Sequence, residues 1–264
     1  MQKRHQDRRI YFDEQASTAR NYYIDYVRQV MSLNGNTRVL EIGCGEGGNL
    51  LPFAEAGCKV TGIDIDAPRI GNAIKFFEEE GRKGEFIASD FLAVPEPQSE
   101  EEKYDVVLVH DVIEHIEPPH KLSFMHLMQR FMKQSAVAFF GFPAWQMPFG
   151  GHQQMCRGKL AKMPYIHLLP TKLYRSVLVR SGQTDTAIED FLSIKRSRMP
   201  IERFQRLVRD ADMMVEKRTL WLINPHYKQK FNLTPVREVW PFDAIPWLRN
   251  FYSTSAWYML KKKQ

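Results

Sequence analysis

The stretch Val39-Leu40-Glu41-Ile42-Gly43-Cys44-Gly45-Glu46-Gly47-Gly48 decides the reading of this chain. A short apolar run breaks into a turn with four glycines, and Asn49 to Ala56 then continues as a helix stopped by Gly57. A strand that feeds a glycine-rich turn opening a helix lets a ligand approach the backbone where no Cβ stands in the way. Gly43, Gly45 and Gly48 satisfy the G-x-G-x-x-G spacing of dinucleotide-binding loops, which alone is a weak signal. Two features point elsewhere. Glu41 stands two positions before the first glycine, where a dinucleotide strand is apolar, and Gly47 produces the tighter G-x-G-x-G spacing. A carboxylate at Glu41 would repel a pyrophosphate and attract a cationic ligand.

The pattern extends in both directions. Residues 13–33 carry Ala16, Ala19, Tyr22, Tyr23, Tyr26, Val27, Val30 and Met31 at roughly helical spacing, and Asn34-Gly35-Asn36 ends them. Strands are predicted at 38–42, 59–64, 85–89, 104–109 and 136–140, with helices at 49–56, 68–80 and 120–132 between them. Strands alternating with helices imply a doubly wound α/β domain whose sheet is mostly parallel, with helices on both faces. After Phe140 the rhythm breaks. Residues 141–170 are rich in Gly, Pro, Met and aromatics and have no clear period; helices are expected at 171–180 and 200–214, and late strands at 219–223 and 256–260. The expectation is one domain over 1–264 with a seven-stranded Rossmann-like sheet. It divides into a core at 13–141, an inserted lid at 142–217 and terminal strands at 218–264.

The chain has 264 residues, of which 44% are hydrophobic and 26% charged, enough to bury a core and to exclude wholesale disorder. Its three cysteines, Cys44, Cys58 and Cys156, have no C-x-x-C spacing, so neither a disulfide framework nor a structural zinc site is expected. The first six residues, Met1 to Gln6, lead into charge rather than an apolar stretch, and no apolar run is long enough to span a membrane. A cytoplasmic protein is expected. The formal charge is +6, and its placement is uneven: residues 142–206 hold 11 Lys and Arg against 4 Asp and Glu, the remainder 26 against 27. A basic cap over a site for an anionic ligand accounts for this, as does a plain solvated face.

At this point the sequence resembles the class I S-adenosylmethionine-dependent methyltransferases. Their first motif, an acidic residue, one residue, then G-x-G-x-G, is matched by Glu41, Gly43, Gly45 and Gly47. The resemblance implies that this loop, Cys44 included, holds the methionine part of S-adenosyl-L-methionine. Asp64, about 20 residues further on at the end of the second strand, matches the acid that hydrogen-bonds the ribose hydroxyls. Ile65 would then lie beside the adenine. Asp90 matches the family residue that contacts the adenine amino group, with Phe91 as the adjacent backbone contact. Tyr104 to Ile116 resembles the fourth motif, whose strand ends beside the methyl group and brings His110 and Asp111 to the cofactor. Similar small-molecule methyltransferases carry the pair found here as Glu114-His115.

Methyl transfer needs alignment above all, and a base only where the acceptor loses a proton. His110, His115 and His152 are the catalytic candidates, His152 because it lies in the aromatic loop after the fifth predicted strand. Asp111 is a further candidate base. No three-ligand metal spacing is seen among His110, Glu114, His115 and His120, and no metal is expected. Arg157, Lys159, Lys162, Lys172 and Arg175 would give the lid its positive field, while Tyr11 and Arg20 would close over the cofactor. Asn224-Pro225-His226-Tyr227 resembles the N-P-P-Y motif of amino methyltransferases but follows a late strand, so it is set aside. The expected partner is a small-molecule acceptor, anionic and methylated at oxygen. RNA is the alternative acceptor, cofactor binding without catalysis is another reading, and the aromatic loop would serve equally as a contact in a homodimer.

Overall fold

A computed structural model describes residues 7–263. The N-terminal stretch read for a leader, Met1 to Gln6, lies outside the described residues. The chain builds one sheet of eight strands in the order β3-β2-β1-β4-β5-β8-β6-β7. Strands β1 (Arg38–Ile42), β2 (Lys59–Asp64), β3 (Glu85–Ala88), β4 (Tyr104–His110) and β5 (Met132–Phe142) run parallel. Strands β6 (Met213–Ile223), β7 (Val236–Arg237) and β8 (Ser255–Lys262) complete the sheet in antiparallel pairing. The expected seven-stranded sheet is thus corrected to eight, because the two-residue β7 pairs with the outer edge of β6 and is too short to give a pattern in sequence.

The helices are α1 (Arg8–Thr18), α2 (Ile24–Arg28), α3 (Leu51–Glu55), α4 (Ala67–Glu79), α5 (Lys121–Phe131), α6 (Thr171–Arg180), α7 (Asp185–Ser197), α8 (Ile201–Asp210) and α9 (His226–Phe231). A π-helical turn, Ala19–Tyr23, joins α1 to α2. Helix α1 begins ahead of the expected start at residue 13 because Asp7 caps it, accepting from the N–H groups of Arg9 and Ile10. Helix α8 stops at Asp210, so Met213 and Met214, expected in a helix, enter β6 instead. Residues 213–217, expected in the lid, therefore belong to the sheet.

Alternation along the strands splits the core in two. Val106, Leu108, Val137, Phe139, Trp257 and Met259 face α1 to α4, while Val107, Val109, Ala138, Phe140, Tyr258 and Leu260 face α5 and α8. Phe204 of α8 lies 5.1 Å from Phe140 and 4.6 Å from Phe142, so α8 covers the sheet as a crossover helix would. The segment between β5 and α8 has a small core of its own, Cys156, Ala161, Tyr174, Leu178, Ile188, Phe191 and Leu192.

Strand order reverses at β1 and β4, which lie side by side while their connections leave to opposite sides. In an open α/β sheet the crevice at the C-terminal ends of two such strands is where ligands bind. The glycine loop follows β1 there, and Asp111 follows β4. No helix among the described residues is long and apolar enough to cross a membrane.

Candidate functional site

The glycine loop turns sharply because three of its residues adopt left-handed backbone: φ is 75° at Gly43, 54° at Gly45 and 80° at Gly47. Gly43 and Cys44 donate their N–H groups to the Ile63 carbonyl at 2.8 and 3.1 Å, which ties the loop to the end of β2. A Cβ at Gly43 would stand 2.4 Å from Cγ2 of Val112, so the loops after β1 and β4 meet at this glycine. Cys44 is buried, its sulfur directed at Gly62, and burial raises its pKa; it is a packing residue in the loop.

Glu41 is buried beneath the loop. Its Oε1 accepts from Nδ2 of Asn49 at 2.7 Å, while Oε2 has no hydrogen-bond partner. Burial raises its pKa to about 8, although the Asn49 hydrogen bond opposes the shift. Asp64 is held by two backbone donors, Gly45 N–H to Oδ2 at 2.7 Å and Asp66 N–H to Oδ1 at 2.9 Å, which fix its carboxylate at the loop's rim. Ile65 beside it is 75% exposed, unusual for an isoleucine and suited to an apolar ligand face. Asp90 is exposed and caps a short 3-10 turn through the N–H of Leu92. The ring of Phe91 is buried against Phe124 and Phe131, which leaves its main chain for any ligand contact.

Two residues unread in the sequence complete this cradle. Glu46 is fully buried, and its carboxylate meets Arg69 through Nε and Nη2 at 3.0–3.2 Å and Arg8 Nε at 3.4 Å. A Cβ on Gly45 would stand 2.4 Å from Nη2 of Arg69. The guanidinium therefore fills the space that Gly45 leaves open.

At the end of β4, His110 is pinned from both sides. Its Nε2 lies 2.7 Å from the hydroxyl of Tyr23, and its Nδ1 3.4 Å from Oδ2 of Asp111. Gly141 of β5 allows this placement, since a Cβ there would meet the imidazole at 2.4 Å. Asp111 (φ 53°) and His152 (φ 55°) both hold left-handed backbone, a strained state for side-chain-bearing residues that concentrates at functional sites. Both line a cavity of about 940 Å³ at the C-terminal ends of β4 and β5. Tyr11 and Arg8 of α1 form another wall of this cavity, and Arg157 and Lys162 reach it from the segment after β5. The remaining basic candidates are elsewhere: Lys159 and Lys172 are exposed without lining the cavity, and Arg175 pairs with Glu189 at 3.0 Å. Arg20 likewise pairs with Glu55, through two hydrogen bonds, rather than closing over the cavity.

The quartet set aside in the sequence returns here. Asn224, His226 and Tyr227 line the same cavity, since β6 delivers them to the sheet edge beside α1, and His226 lies 3.0 Å from the Thr18 hydroxyl. Its distance from the fourth strand in sequence hid this proximity. The structure also gathers His115 and His152, whose rings approach at 5.1 Å, with Glu114 alongside. The sequence spacing showed no such group because His152 arrives from a separate loop.

Comparison with known proteins agrees with this geometry. Residues 39–135 match the family model described as "Methyltransferase domain". The "Ubiquinone biosynthesis O-methyltransferase" of Actinobacillus pleuropneumoniae serotype 7 is 30% identical over 119 residues, which cover 44% of this chain and 50% of the relative. That of Agrobacterium fabrum is 33% identical over 134 residues, covering 44% and 51%. The chain thus spans about half the length of the curated relatives it matches. Among solved structures, magnesium protoporphyrin IX methyltransferase from Synechocystis PCC 6803 with bound SAH superposes with a TM-score of 0.56 at 13% identity, covering 95% of this chain and 84% of that one. An S-adenosylmethionine-dependent methyltransferase from Clostridium acetobutylicum gives 0.58 at 8% identity, covering 94% and 92%. Residues 39–135 thus carry the match to a methyltransferase domain, and the chain shares the fold of solved S-adenosylmethionine-dependent methyltransferases.

Proposed function

We propose that this chain transfers a methyl group from S-adenosylmethionine to an oxygen of a small anionic acceptor held in the large cavity. The observation that carries the reading is the position of that cavity. It opens at the C-terminal ends of β4 and β5, walled by His110, Asp111 and His152, with Arg157 and Lys162 on the side facing the inserted segment.

The residues present fit the cofactor. The unpartnered Oε2 of Glu41 is a buried acceptor awaiting a donor, and an ammonium group supplies one. Gly43, Cys44, Gly45 and Gly47 would hold the methionine part of the cofactor. Asp64 keeps lone pairs for the ribose hydroxyls while its two backbone donors fix its orientation. Ile65 would pack on the adenine, and Asp90 with the main chain of Phe91 would meet its polar edge. Arg69 must swing away from Gly45 for the loop to be used in full.

When bound, S-adenosylmethionine supplies an electrophilic methyl group. The chain's part is to align the acceptor oxygen, exclude water and take up the acceptor's proton. Burial lowers the pKa of His152, and burial together with His152 lowers that of His115, so both imidazoles are neutral near pH 7 and able to accept a proton. His110, engaged by Tyr23 and Asp111, is placed to orient rather than to exchange protons. Arg157 and Lys162 at the cavity favour an acceptor that carries negative charge. The similarity to O-methyltransferases supports oxygen as the atom methylated.

Transfer of isotopically labelled methyl from S-adenosylmethionine to a panel of hydroxylated aromatic carboxylates tests the reading. It predicts label in at least one such acceptor. Label appearing in added RNA and in no small molecule would contradict it.

A further inference from the structure

We propose that Glu114, His115 and His152 form a binding site for a divalent transition-metal ion of the zinc class. One ligating atom from each lies within 4.8 Å of those of the other two, the only such group found among the described residues. Glu114 and His115 come from the loop after β4, His152 from the loop after β5, so the fold brings together donors that are far apart in sequence.

The inner member of the group lacks a protein partner. Glu114 is 4% exposed, and neither of its carboxylate oxygens has a hydrogen-bond partner. A buried carboxylate in that state costs free energy unless it is neutralised or paired. The nearest buried cation, Lys121, gives its Nζ to the carbonyl of Ile113 instead. Nε2 of His152 is likewise buried and without a partner. A cation at the centre of the three side chains satisfies both groups at once.

The donor set selects the kind of ion. Two imidazoles and one carboxylate suit zinc and its borderline neighbours, whereas magnesium and calcium favour oxygen ligands throughout. Zinc–ligand bonds of about 2.0–2.2 Å in tetrahedral geometry put ligand atoms roughly 3.4 Å apart. Closing from 4.8 Å needs side-chain adjustments of about 1 Å. His115 is exposed on one side and can turn, and the two rings meet at 64° rather than stacking. Three protein ligands leave a fourth position open. His152 lines the large cavity, and His115 and His152 together line a second one of about 440 Å³ against α7. The open position is therefore within reach of a small molecule in either cavity. If the methyl-transfer reading holds, that molecule is the acceptor, whose oxygen the ion would fix and whose proton the ion, in place of His115 and His152 as bases, would help to release.

The test uses the full chain, stripped of metal with a chelator and without cofactor, so its result does not depend on methyl transfer. Calorimetric titration with zinc chloride is expected to show one ion per chain at micromolar or tighter affinity. Cobalt(II) chloride should give the visible absorption of a tetrahedral site. His115→Ala and His152→Ala should each weaken zinc binding roughly a hundredfold, while His126→Ala on the exposed face of α5 should leave it unchanged. Glu114→Gln keeps the shape of the side chain and guards against misfolding of the histidine variants; it should weaken binding roughly tenfold and shrink the zinc-dependent rise in Tm. Absence of zinc binding to the unaltered chain, or binding that survives in His115→Ala, His152→Ala and Glu114→Gln alike, would overturn the proposal.

Discussion

The hydroxyl of Tyr23 lies 2.7 Å from Nε2 of His110, with the two rings 5.1 Å apart. Burial raises the pKa of Tyr23 well above its ordinary value, so the phenol keeps its proton and can donate it to Nε2. The carboxylate of Asp111, which only accepts, faces Nδ1 on the other side of the ring. These contacts together select the Nδ1–H tautomer of His110. An N-terminal helical segment thereby sets the state of a residue at the C-terminal end of β4.

Tyr23→Phe should therefore reduce kcat by about tenfold while leaving the cofactor Kd within about twofold, since it strips one hydrogen bond and frees His110 to change tautomer. Steady-state kinetics alongside calorimetry checks the split. An equal change in both constants would show that Tyr23 acts on the cofactor cradle instead.

If Glu41 meets the cofactor as proposed, cofactor binding should depend on pH. The folded pKa of Glu41, raised to about 8 by burial, lies above its unfolded value, so the protonated form stabilises the fold at low pH and that contribution is lost as pH rises through about 8. A cationic group beside Glu41 favours its ionised form, so binding should release a proton below pH 8 and S-adenosylmethionine affinity should rise between pH 6 and pH 8. Glu41→Gln should abolish the rise and gain Tm relative to the unaltered chain as pH increases. Calorimetry in buffers of different ionisation enthalpy counts the protons directly.

His152→Ala should lower turnover by about tenfold or more with little effect on cofactor Kd, because His152 lines the large cavity proposed for the acceptor and not the glycine loop. Kinetics with the acceptor identified by label transfer provides the comparison. Small, equal effects on both would make His152 a wall residue.

Trp257 is the centre of an aromatic cluster, 5.1 Å from Tyr23, 5.3 Å from Tyr26, 5.5 Å from Phe139 and 4.9 Å from Trp221. Trp257→Ala should cost about 3–5 kcal/mol in denaturant unfolding. It should also weaken catalysis, because the ring packs directly on Tyr23 behind the Tyr23–His110 hydrogen bond.

The parallel half of the sheet was legible because each buried strand is a short apolar run closed by a turn signal: β1 and β2 fall at the expected residues. Glu41, the loop glycines and Asp64, picked out by local spacing, lie together at the C-terminal ends of β1 and β2. What escaped depends on contacts distant in sequence. Helix α7, which packs with α6 on the small core of the inserted segment, escaped the reading although its apolar residues are spaced as regularly as those of α6, and β7 is too short to carry a pattern. Arg69 over Gly45, Tyr23 on His110, the wall formed by Asn224, His226 and Tyr227, and the meeting of His152 with Glu114 and His115 each join separate elements. A carboxylate such as Glu114 looks like any acidic loop residue until burial removes its water.

The central claim is tested most directly by calorimetric titration with S-adenosylmethionine of the unaltered chain and of Asp64→Ala. The account predicts micromolar binding by the first and at least about a tenfold loss in the second, from the missing ribose hydrogen bonds. Equal affinity in the two, or no binding by the unaltered chain with candidate acceptors present, would contradict it.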